Sequence, residues 1–432
     1  MNATKKKKDF THGPLFLPMM TFVLPIMLTG ILQVLYNMAD NMVVGQFSGD
    51  PNALAAVGST SSLTNLIINV MMGLGAGSGI VVSHAFGAKN DALLEKAVHT
   101  AMSASLISGI VFSAIGLLIC EPVLILMGTR QELLEGAILY VKILCLGIPG
   151  SAVFNFGATI LRSVGDSKTP LYILATTGIV NVLLNLVFVI SFRMSISGVA
   201  LATIIAQYLS AVVLVYILNK RRNEKYGLSF KKLGIDRGVL LRIFRFGIPA
   251  GIQSGIFSVS NIIITSAINT FPTTTISAKT IAGNIEGLLY TALNSYMHAS
   301  MTFVGQNYGA KEPSRIKKSI SYAVIQVLVI GTLIGQLMLT SYVLCGVMEA
   351  LAGSLRGLGF SVLPMMVNII GTCGMRILWI AVFFPMPIFN NIIGVFLIYP
   401  ISWILTIIAH FTVILVALCK KGSNETAKKA VG

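Results

Sequence analysis

Long apolar runs constrain this chain more than any other feature of its sequence. They cover residues 15–44, 54–82, 97–119, 137–161, 171–192, 196–218, 243–271, 276–304, 320–355, 362–384 and 388–418. About 20 consecutive apolar residues cross the hydrocarbon core of a bilayer as a helix, because a helix satisfies its own backbone hydrogen bonds there. The sequence therefore predicts an all-α polytopic membrane protein. The share of charged residues, only 11%, excludes an ordinary soluble fold.

The basic residues lie in alternate connections between these runs. The chain has 31 Lys and Arg against 15 Asp and Glu, which gives a net charge of +16. One set of connections, including both termini, holds 26 basic residues, and the other set holds 3. Positive residues favour the cytoplasmic side, so we expect a plasma-membrane protein with both termini in the cytoplasm. The basic excess is then an orientation signal, and no nucleic-acid partner is expected.

The two halves of the chain resemble each other. Phe86–Lys89 (FGAK) and Tyr308–Lys311 (YGAK) are 222 residues apart, whereas Leu161–Gly165 (LRSVG) and Leu355–Gly359 (LRGLG) are 194 apart. With both termini on one side the number of spans is even, and twelve fits if residues 320–355 form two short helices. Six spans per half predict two six-helix lobes related by a parallel pseudo-two-fold repeat.

The two offsets differ by 28 residues, which predicts a shortened third and fourth helix pair in the second lobe. Natural shortening on the outer side and an incomplete variant both explain this difference. The predicted parts are a cytoplasmic N-terminal tail (1–15), a first lobe (16–218), a basic cytoplasmic linker (219–242), a second lobe (243–418) and a cytoplasmic C-terminal tail (419–432).

The local motifs do not favour an enzyme. Gly73–Gly79 (GLGAGSG) looks like a phosphate-binding loop, but it follows no strand and lacks the Lys-Ser/Thr of a P-loop. Close helix packing or a flexible kink is the better interpretation. The histidines show neither metal-ligand spacing nor a carboxylate partner, and no catalytic triad pattern occurs. We therefore expect no catalytic residues and no cofactor.

Asp40 is the outstanding ionisable residue within the apolar runs. Helical spacing places Thr29, Gln33, Asn37 and Asp40 on one face, which suits a wet cavity better than lipid. A carboxylate at this depth in the membrane costs free energy, and by default it indicates a functional site. It can bind Na⁺, the only metal ion we expect, or take a proton. The alternative is a structural role, in which hydrogen bonds between these polar side chains hold helices together.

Three further polar residues can complete a site around Asp40. Asn181 and Asn185 lie one turn apart in the fifth run, and Thr203 lies in the sixth. Hydrogen bonding between helices is the alternative explanation for all three. Leu24–Pro25 and Ile248–Pro249 are 224 residues apart, and this offset aligns Asp40 with Ile264, so the predicted ion site belongs to the first half only.

Residues outside this group are candidates for lining a substrate cavity. Gln33 and Asn37 are the candidates in the first half, and Asn284, Glu286 and Arg376 are those in the second. Glu286 lies near the start of a run and has an alternative as a water-facing residue, whereas Arg376 can pair with a carboxylate or snorkel.

Several of these motifs are similar to those of the multidrug and toxic compound extrusion (MATE) family. They are YNMAD at 36–40, GAK after the second run, LRSVGDSKTP at 161–170, GVALAT at 198–203 and GQNYGAK at 305–311. The resemblance implies a twelve-helix, two-lobed antiporter that exports cationic or amphipathic drugs in exchange for Na⁺ or H⁺. Its partners would be small-molecule drugs or toxins and the lipid bilayer, and we expect a monomer.

The resemblance also implies roles for the candidate residues. In the prokaryotic branch with an acid in the first span, the ion site combines that Asp with an Asn, a second Asp and a Thr. The matching positions are Asp40, Asn181, Asn185 and Thr203. Asn185 replaces the second carboxylate, so one formal charge remains. This change would weaken Na⁺ binding or favour a proton on Asp40.

Two other functions remain as alternatives. A lipid-linked precursor flippase of related two-lobed architecture would need a large basic cavity, and the only intramembrane cations are Arg376 and Lys142. A passive channel or receptor is the alternative of a different class. It does not explain why a duplicated chain carries a buried acid in one half only.

Overall fold

The computed structural model describes the backbone of residues 9–268, 273–338 and 341–430. Side chains are described within these ranges except at 62, 259, 262–263, 265–268, 273–285, 333–338, 392 and 419–430. The described chain is helical throughout, with no strand in these ranges. This confirms the predicted all-α class.

Twelve helices make up the described chain. They are α1 (Phe16–Phe47), α2 (Ala53–Gly87), α3 (Asp91–Leu126), α4 (Gln131–Ser163), α5 (Lys168–Leu186), α6 (Ser195–Lys220), α7 (Arg237–Ile268), α8 (Thr273–Gly309), α9 (Pro313–Met338), α10 (Tyr342–Gly357), α11 (Val362–Phe383) and α12 (Ile392–Ala430). A π-helical turn, Val187–Ser191, extends α5, and two others, Ile369–Gly374 and Trp379–Phe383, lie within α11. Within the described residues, α1 to α6, α11 and α12 are long and apolar enough to cross a membrane.

The sequence repeat has a counterpart in the backbone. Lys89 and Lys311 follow α2 and α8, and both adopt the left-handed conformation, with φ of 52° and 60°. That conformation is uncommon for residues other than glycine. Gly165 and Gly359, which follow α4 and α10, have φ of 89° and 88°. Both pairs have the spacing found in the sequence, so corresponding helices of the two halves end in the same way.

The predicted shortening is visible in the helix lengths. The third and fourth helices of the first half, α3 and α4, contain 36 and 33 residues. Their counterparts α9 and α10 contain 26 and 16. At 1.5 Å per residue α10 is about 24 Å long, shorter than the hydrocarbon core of about 30 Å. The pair has lost 27 helical residues, close to the 28 expected from the two repeat offsets.

One compact unit contains Leu24–Phe86 and Asn90–Gly251. Its largest core cluster joins side chains of α2 to α6 with the start of α7. The glycines of α2 permit a close approach to α7, because a Cβ at Gly73 would overlap the backbone of Gly251 and one at Gly77 would overlap Ile243. The glycine-rich run is therefore a packing surface between helices, as predicted.

The second compact unit contains Asp9–Val23, Gly87–Lys89 and the chain from Ile252 onward. Phe10 is buried and stacks on Phe303 of α8 with ring centroids 3.9 Å apart. Arg315 of α9 donates hydrogen bonds to the carbonyls of Phe10 and Gly13. Phe10 and Gly13, which precede α1, thus contact α8 and α9.

Candidate ion-coupling site

The carboxylate of Asp40 lies inside the first unit and is bound by the side chain of Asn185. Asp40 is only 9% exposed and Asn185 is fully buried. The amide nitrogen Nδ2 of Asn185 donates a hydrogen bond of 2.5 Å to Oδ1 of Asp40. A hydrogen bond to a charged group inside a protein is roughly twice as strong as a neutral one. Asn185 therefore stabilises the ionised carboxylate.

Asn181 and Thr203 extend this pair into a cluster of four polar side chains. Nδ2 of Asn185 also donates to Oδ1 of Asn181 at 3.3 Å, and Nδ2 of Asn181 donates to Oγ1 of Thr203 at 3.4 Å. Oγ1 of Thr203 lies 3.4 Å from Oδ2 of Asp40 and 2.9 Å from the carbonyl of Val199. The structure thus brings together the four residues that the sequence suggested for ion coupling.

The approach of α1 to α5 depends on a glycine notch. The ring of Tyr36 occupies the space that a Cβ at Gly178 would need. The Tyr36 hydroxyl donates to the carbonyl of Ala175 at 3.2 Å. Tyr36 lies one turn before Asp40 on α1, so this contact sets the position of Asp40 against α5.

A second contact, between α5 and α6, holds the other wall of the site. Ser210 of α6 and Thr177 of α5 are both buried, and the hydroxyl of Ser210 donates to Oγ1 of Thr177 at 2.7 Å. This bond lies two turns from the level of Asn185 and Thr203 and keeps the two helices in register. Asn185 and Thr203 can therefore face the same carboxylate.

Asp40 has no cationic partner within the part of the chain that the structure describes. The ion pairs among the described residues all involve carboxylates other than Asp40. A buried carboxylate without a basic partner needs compensation of its charge. Hydrogen bonds supply part of it, and a proton or a small cation can supply the rest.

The site opens into a cavity of about 340 Å³. Its polar lining residues are Asn37, Asp40, Asn41, Thr60, Ser61, Thr64, Asn65, Tyr140, Ser151, Asn155, Thr203 and Gln207. Asp40 is the only charged group among the lining residues described. Ligand pockets in proteins have volumes of roughly 300–1,000 Å³, so the cavity is large enough for a small organic molecule.

The two substrate-cavity candidates of the first half have different positions. Asn37 is exposed and lines the cavity beside Asp40. Gln33, one turn earlier on α1, is also exposed but is not among the residues that line this cavity. A role for Gln33 in substrate binding therefore stays a prediction.

The candidates of the second half belong to the second unit and are not among the residues that line this cavity. The side chain of Asn284 lies outside the described residues. Glu286 is half-buried beside Tyr342. Arg376 is 1% exposed and neither pairs with a described carboxylate nor snorkels, since Nη1 donates to Oδ1 of Asn261 at 3.0 Å. A part for these residues in substrate binding stays a prediction.

The guanidinium of Arg376 is enclosed by aromatic rings. Its Cζ lies 4.5 Å from the ring centroid of Tyr399 and 5.1 Å from that of Phe257. Such cation–π contacts stabilise a buried guanidinium. Arg376 thus holds α11 to α7 and α12 in the second unit.

Sequence reasoning missed several residues of the first-unit site. Tyr140, Asn155 and Gln207 line the cavity from α4 and α6. Single polar residues in apolar helices carry little signal, because the sequence alone does not show which face of a helix is buried. Asn155 was detectable in principle as an amide deep in a span.

The all-helical fold, the buried acid and the adjoining cavity define a polytopic membrane protein with the features of a transporter. The MatE family model matches residues 25–187 and 249–339, which is more than half of the chain. The chain therefore belongs to the MATE family of multidrug efflux transporters, whose members need no cofactor and are not enzymes.

Individual relatives agree with this family. The chain is 31% identical over 334 residues to the probable multidrug resistance protein YoeA of Bacillus subtilis (strain 168), covering 75% of this chain and 71% of that protein. It is 24% identical over 337 residues to a FAD transporter of Shewanella oneidensis, covering 76% and 73%.

Solved structures share the fold. A crystal structure of MATE in complex with MaL6 has a TM-score of 0.84 at 21% identity, covering 96% of this chain and 100% of that one. A crystal structure of MATE in the bent conformation has a TM-score of 0.83 at 20% identity, covering 97% and 100%. Despite its shortened α9 and α10, the chain therefore retains this architecture.

Proposed function

We propose that this protein exports cationic or amphipathic small molecules by exchanging them for H⁺ or Na⁺, with Asp40 as the coupling acid. The observation that carries the proposal is a buried carboxylate that lies at the wall of a ligand-sized cavity and lacks a described basic partner. Intramembrane acids of this kind mark ion and substrate pathways in transporters.

The charge of the cavity favours a cationic substrate. Asp40 carries the one formal charge among its described lining residues, and amides and hydroxyls supply the remaining polar groups. A bound cation would find its counter-charge at Asp40, whereas an anion would face a carboxylate without any compensating lysine or arginine. The FAD transporter of Shewanella oneidensis is named for an anionic substrate, and this cavity does not suit such a molecule.

The arrangement of the amides favours H⁺ over Na⁺. The NH₂ group of Asn185 directs a hydrogen toward Asp40, whereas the one hydroxyl hydrogen of Thr203 has a nearer acceptor in the carbonyl of Val199, at 2.9 Å against 3.4 Å to Asp40. Na⁺ requires oxygen atoms that converge on it, so the Asn185 amide would have to rotate and give up its bond to Asp40. A proton needs no such change, because it binds directly to a carboxylate oxygen.

A proton and a cationic substrate would then compete for the same charge. When Asp40 is ionised it attracts the cation into the cavity, and when it is protonated that attraction is lost and the substrate leaves. Inward movement of protons down their gradient thereby drives outward movement of the substrate, provided that the site faces the two sides alternately.

The charge asymmetry supports the orientation of this cycle. One set of connections holds 26 basic residues against 3 in the other set, which favours a cytoplasmic position for both termini. The duplicated chain supplies two halves for alternating access within one polypeptide, so a monomer is sufficient.

The test is Asp40→Asn in proteoliposomes loaded with a cationic dye. Dye efflux is measured with a pH gradient alone and then with a Na⁺ gradient alone. We expect pH-driven efflux in the wild type and none in the variant. Unchanged ion-driven efflux in Asp40→Asn would refute the assignment, and gradient-independent flux in the wild type would indicate a channel.

Asp50→Asn is the matched control. Asp50 is exposed beyond the end of α1, and its Oδ1 accepts a hydrogen bond from the amide of Asn52 that an asparagine can also accept. Efflux by this variant should equal that of the wild type. Efflux driven only by Na⁺ would retain the role of Asp40 and exclude H⁺ as the coupling ion.

A further inference from the structure

The linker between α6 and α7 is docked on α3 through a histidine whose protonation state is defined by its partners. The linker segment comprises residues 221–236. His99 of α3 is 4% exposed, and its Nε2 accepts a hydrogen bond of 3.0 Å from the backbone amide of Ser229. Its Nδ1 lies 2.8 Å from the carbonyl of Glu95.

These two backbone partners permit only one form of the ring. An amide N–H always donates, so Nε2 has to accept, and a carbonyl always accepts, so Nδ1 has to carry the hydrogen. His99 is therefore neutral when the linker is docked. A proton on Nε2 would face the N–H of Ser229 and abolish this hydrogen bond, since both groups would then be donors.

The charged groups around His99 are already paired with one another. On α3, Glu95 pairs with Lys232 and Lys96 pairs with Asp236 at 3.1 Å. Both partners belong to the linker segment. Glu95, the carboxylate that interacts with the His99 ring, already has Lys232 as its ion-pair partner.

The remaining contacts of the linker segment do not depend on His99. Tyr226 and Leu228 are buried in the core of the first unit. The amide of Asp236 donates to Oγ1 of Thr100 at 3.1 Å. Loss of the Ser229 bond would therefore loosen the segment around Ser229 to Lys231, while Leu228 before it stays buried and Lys232 after it stays paired with Glu95.

We propose that His99 is a pH-responsive latch, which holds the middle of the linker segment against α3 when neutral and releases it when protonated. Histidine is the side chain whose charge changes most readily between about pH 5 and 8. The latch is independent of Asp40 and lies on the face that the basic residues assign to the cytoplasm. It would make the mobility of the connection between the two halves sensitive to cytoplasmic pH.

The test measures backbone mobility in the linker segment directly. A spin label is attached to Lys231→Cys, an exposed position, in a chain whose five native cysteines are replaced. Electron paramagnetic resonance spectra are recorded in detergent at a series of pH values from about pH 8 to about pH 5.5. We expect the ratio of mobile to immobile label to rise roughly five-fold, the factor that loss of one hydrogen bond supplies.

Three variants separate the latch from general acid effects. His99→Gln keeps an acceptor but cannot titrate, so its label should stay immobile throughout. His99→Lys carries a permanent donor and should be mobile at every pH. Thr100→Val removes the hydrogen bond that Thr100 accepts from the amide of Asp236, and neither of these groups titrates. Any change in label mobility that this variant causes should be the same at every pH.

Two outcomes would overturn the latch. One is a wild-type label whose mobility does not change with pH, which decides the matter even if a His99 variant fails to fold. The other is the same pH response in folded His99→Gln as in the wild type. Neither result bears on ion coupling by Asp40, which is measured by dye efflux.

Discussion

The amide of Asn185 donates a 2.5 Å hydrogen bond to the carboxylate of Asp40, joining α5 to α1 across 145 positions of sequence. An aspartate at 185 could not donate this bond when ionised. Compared with the second carboxylate that the family resemblance implies at this position, Asn185 carries no charge and supplies a hydrogen-bond donor, so the carboxylate of Asp40 is stabilised by a neutral partner.

Asn185→Asp should shift the ion preference toward Na⁺. Two carboxylates in one buried site repel each other unless a cation or a shared proton lies between them. We expect Na⁺-driven dye efflux to rise several-fold relative to pH-driven efflux. The measurement is dye efflux under each gradient separately, with Asn185→Leu as the control that removes the bond without adding charge. An unchanged ratio of the two rates in Asn185→Asp would contradict the idea that residue 185 selects the ion.

Gly178→Ala should impair transport by displacing α1 from α5. The added methyl group would occupy the space of the Tyr36 ring, and overpacking of this kind costs about 1–3 kcal/mol. Tyr36 would lose its bond to Ala175, and Asp40 would move away from Asn185. Dye efflux is measured in proteoliposomes, and the melting temperature is measured in detergent. We expect a large loss of efflux and only a small decrease in melting temperature.

Gly58→Ala is the control for this substitution. Gly58 also lines the cavity, but a Cβ there would meet no atom within 4 Å. Normal efflux by both alanine variants would show that the notch at Gly178 does not position Asp40.

Asp166→Asn should destabilise the protein at neutral pH but not in strong acid. Burial alone would raise the pKa of Asp166, but hydrogen bonds from Thr169 and Arg221 outweigh it and lower this pKa below its ordinary value of 3.8. The stabilisation is therefore fully present above pH 3.8 and is lost as the pH falls through the lowered folded-state pKa. Its size is about 1–3 kcal/mol, typical of a hydrogen bond to a charged group.

The measurement for Asp166 is the difference in melting temperature between wild type and variant at several pH values. Arg221→Gln removes the ion pair from its other side, where Nη1 lies 2.8 Å from Oδ2 of Asp166, and should show the same dependence. A difference that stays constant from neutral pH to below pH 3 would mean that the carboxylate charge does not matter.

Gly353→Ala should destabilise the second unit. A Cβ at Gly353 of α10 would overlap the backbone carbonyl of Met297 on α8, and backbone atoms cannot rotate away as a side chain can. We expect a melting temperature several degrees lower, consistent with an overpacking cost of about 1–3 kcal/mol. Gly287→Ala on α8 is the control, because a Cβ there meets nothing within 4 Å. Equal melting temperatures for the two variants would refute the close packing of α8 and α10.

Much of this architecture was predictable because membrane helices have a strong local signal. Apolar runs of sufficient length predict helices, and the repeated YGAK-like and LRG-like motifs predict where they end. Lys89 and Lys311 then have the same left-handed backbone. The arithmetic of the two offsets also predicted that α9 and α10 are short.

The candidate site was only partly predictable. Asp40, Asn181, Asn185 and Thr203 were suggested by polarity and by resemblance, yet nothing local shows that Asn185 directs its NH₂ group at the carboxylate. His99 gave no signal at all, because its partners are backbone groups and every residue has those. The burial of Arg376 between aromatic rings likewise depends on the packing of α11 against α12 and against α7, which is more than 100 residues away at Phe257.

By itself, the sequence determined the class of the molecule, its duplicated plan and the length of its shortened helix pair, because hydrophobicity, charge and repeat spacing act locally along the chain. Only the tertiary structure decided which polar groups meet. Hydrogen bonds at Asp40 and His99 need a donor and an acceptor within about 3 Å, and that distance is set by the packing of helices such as α1 against α5 at Gly178.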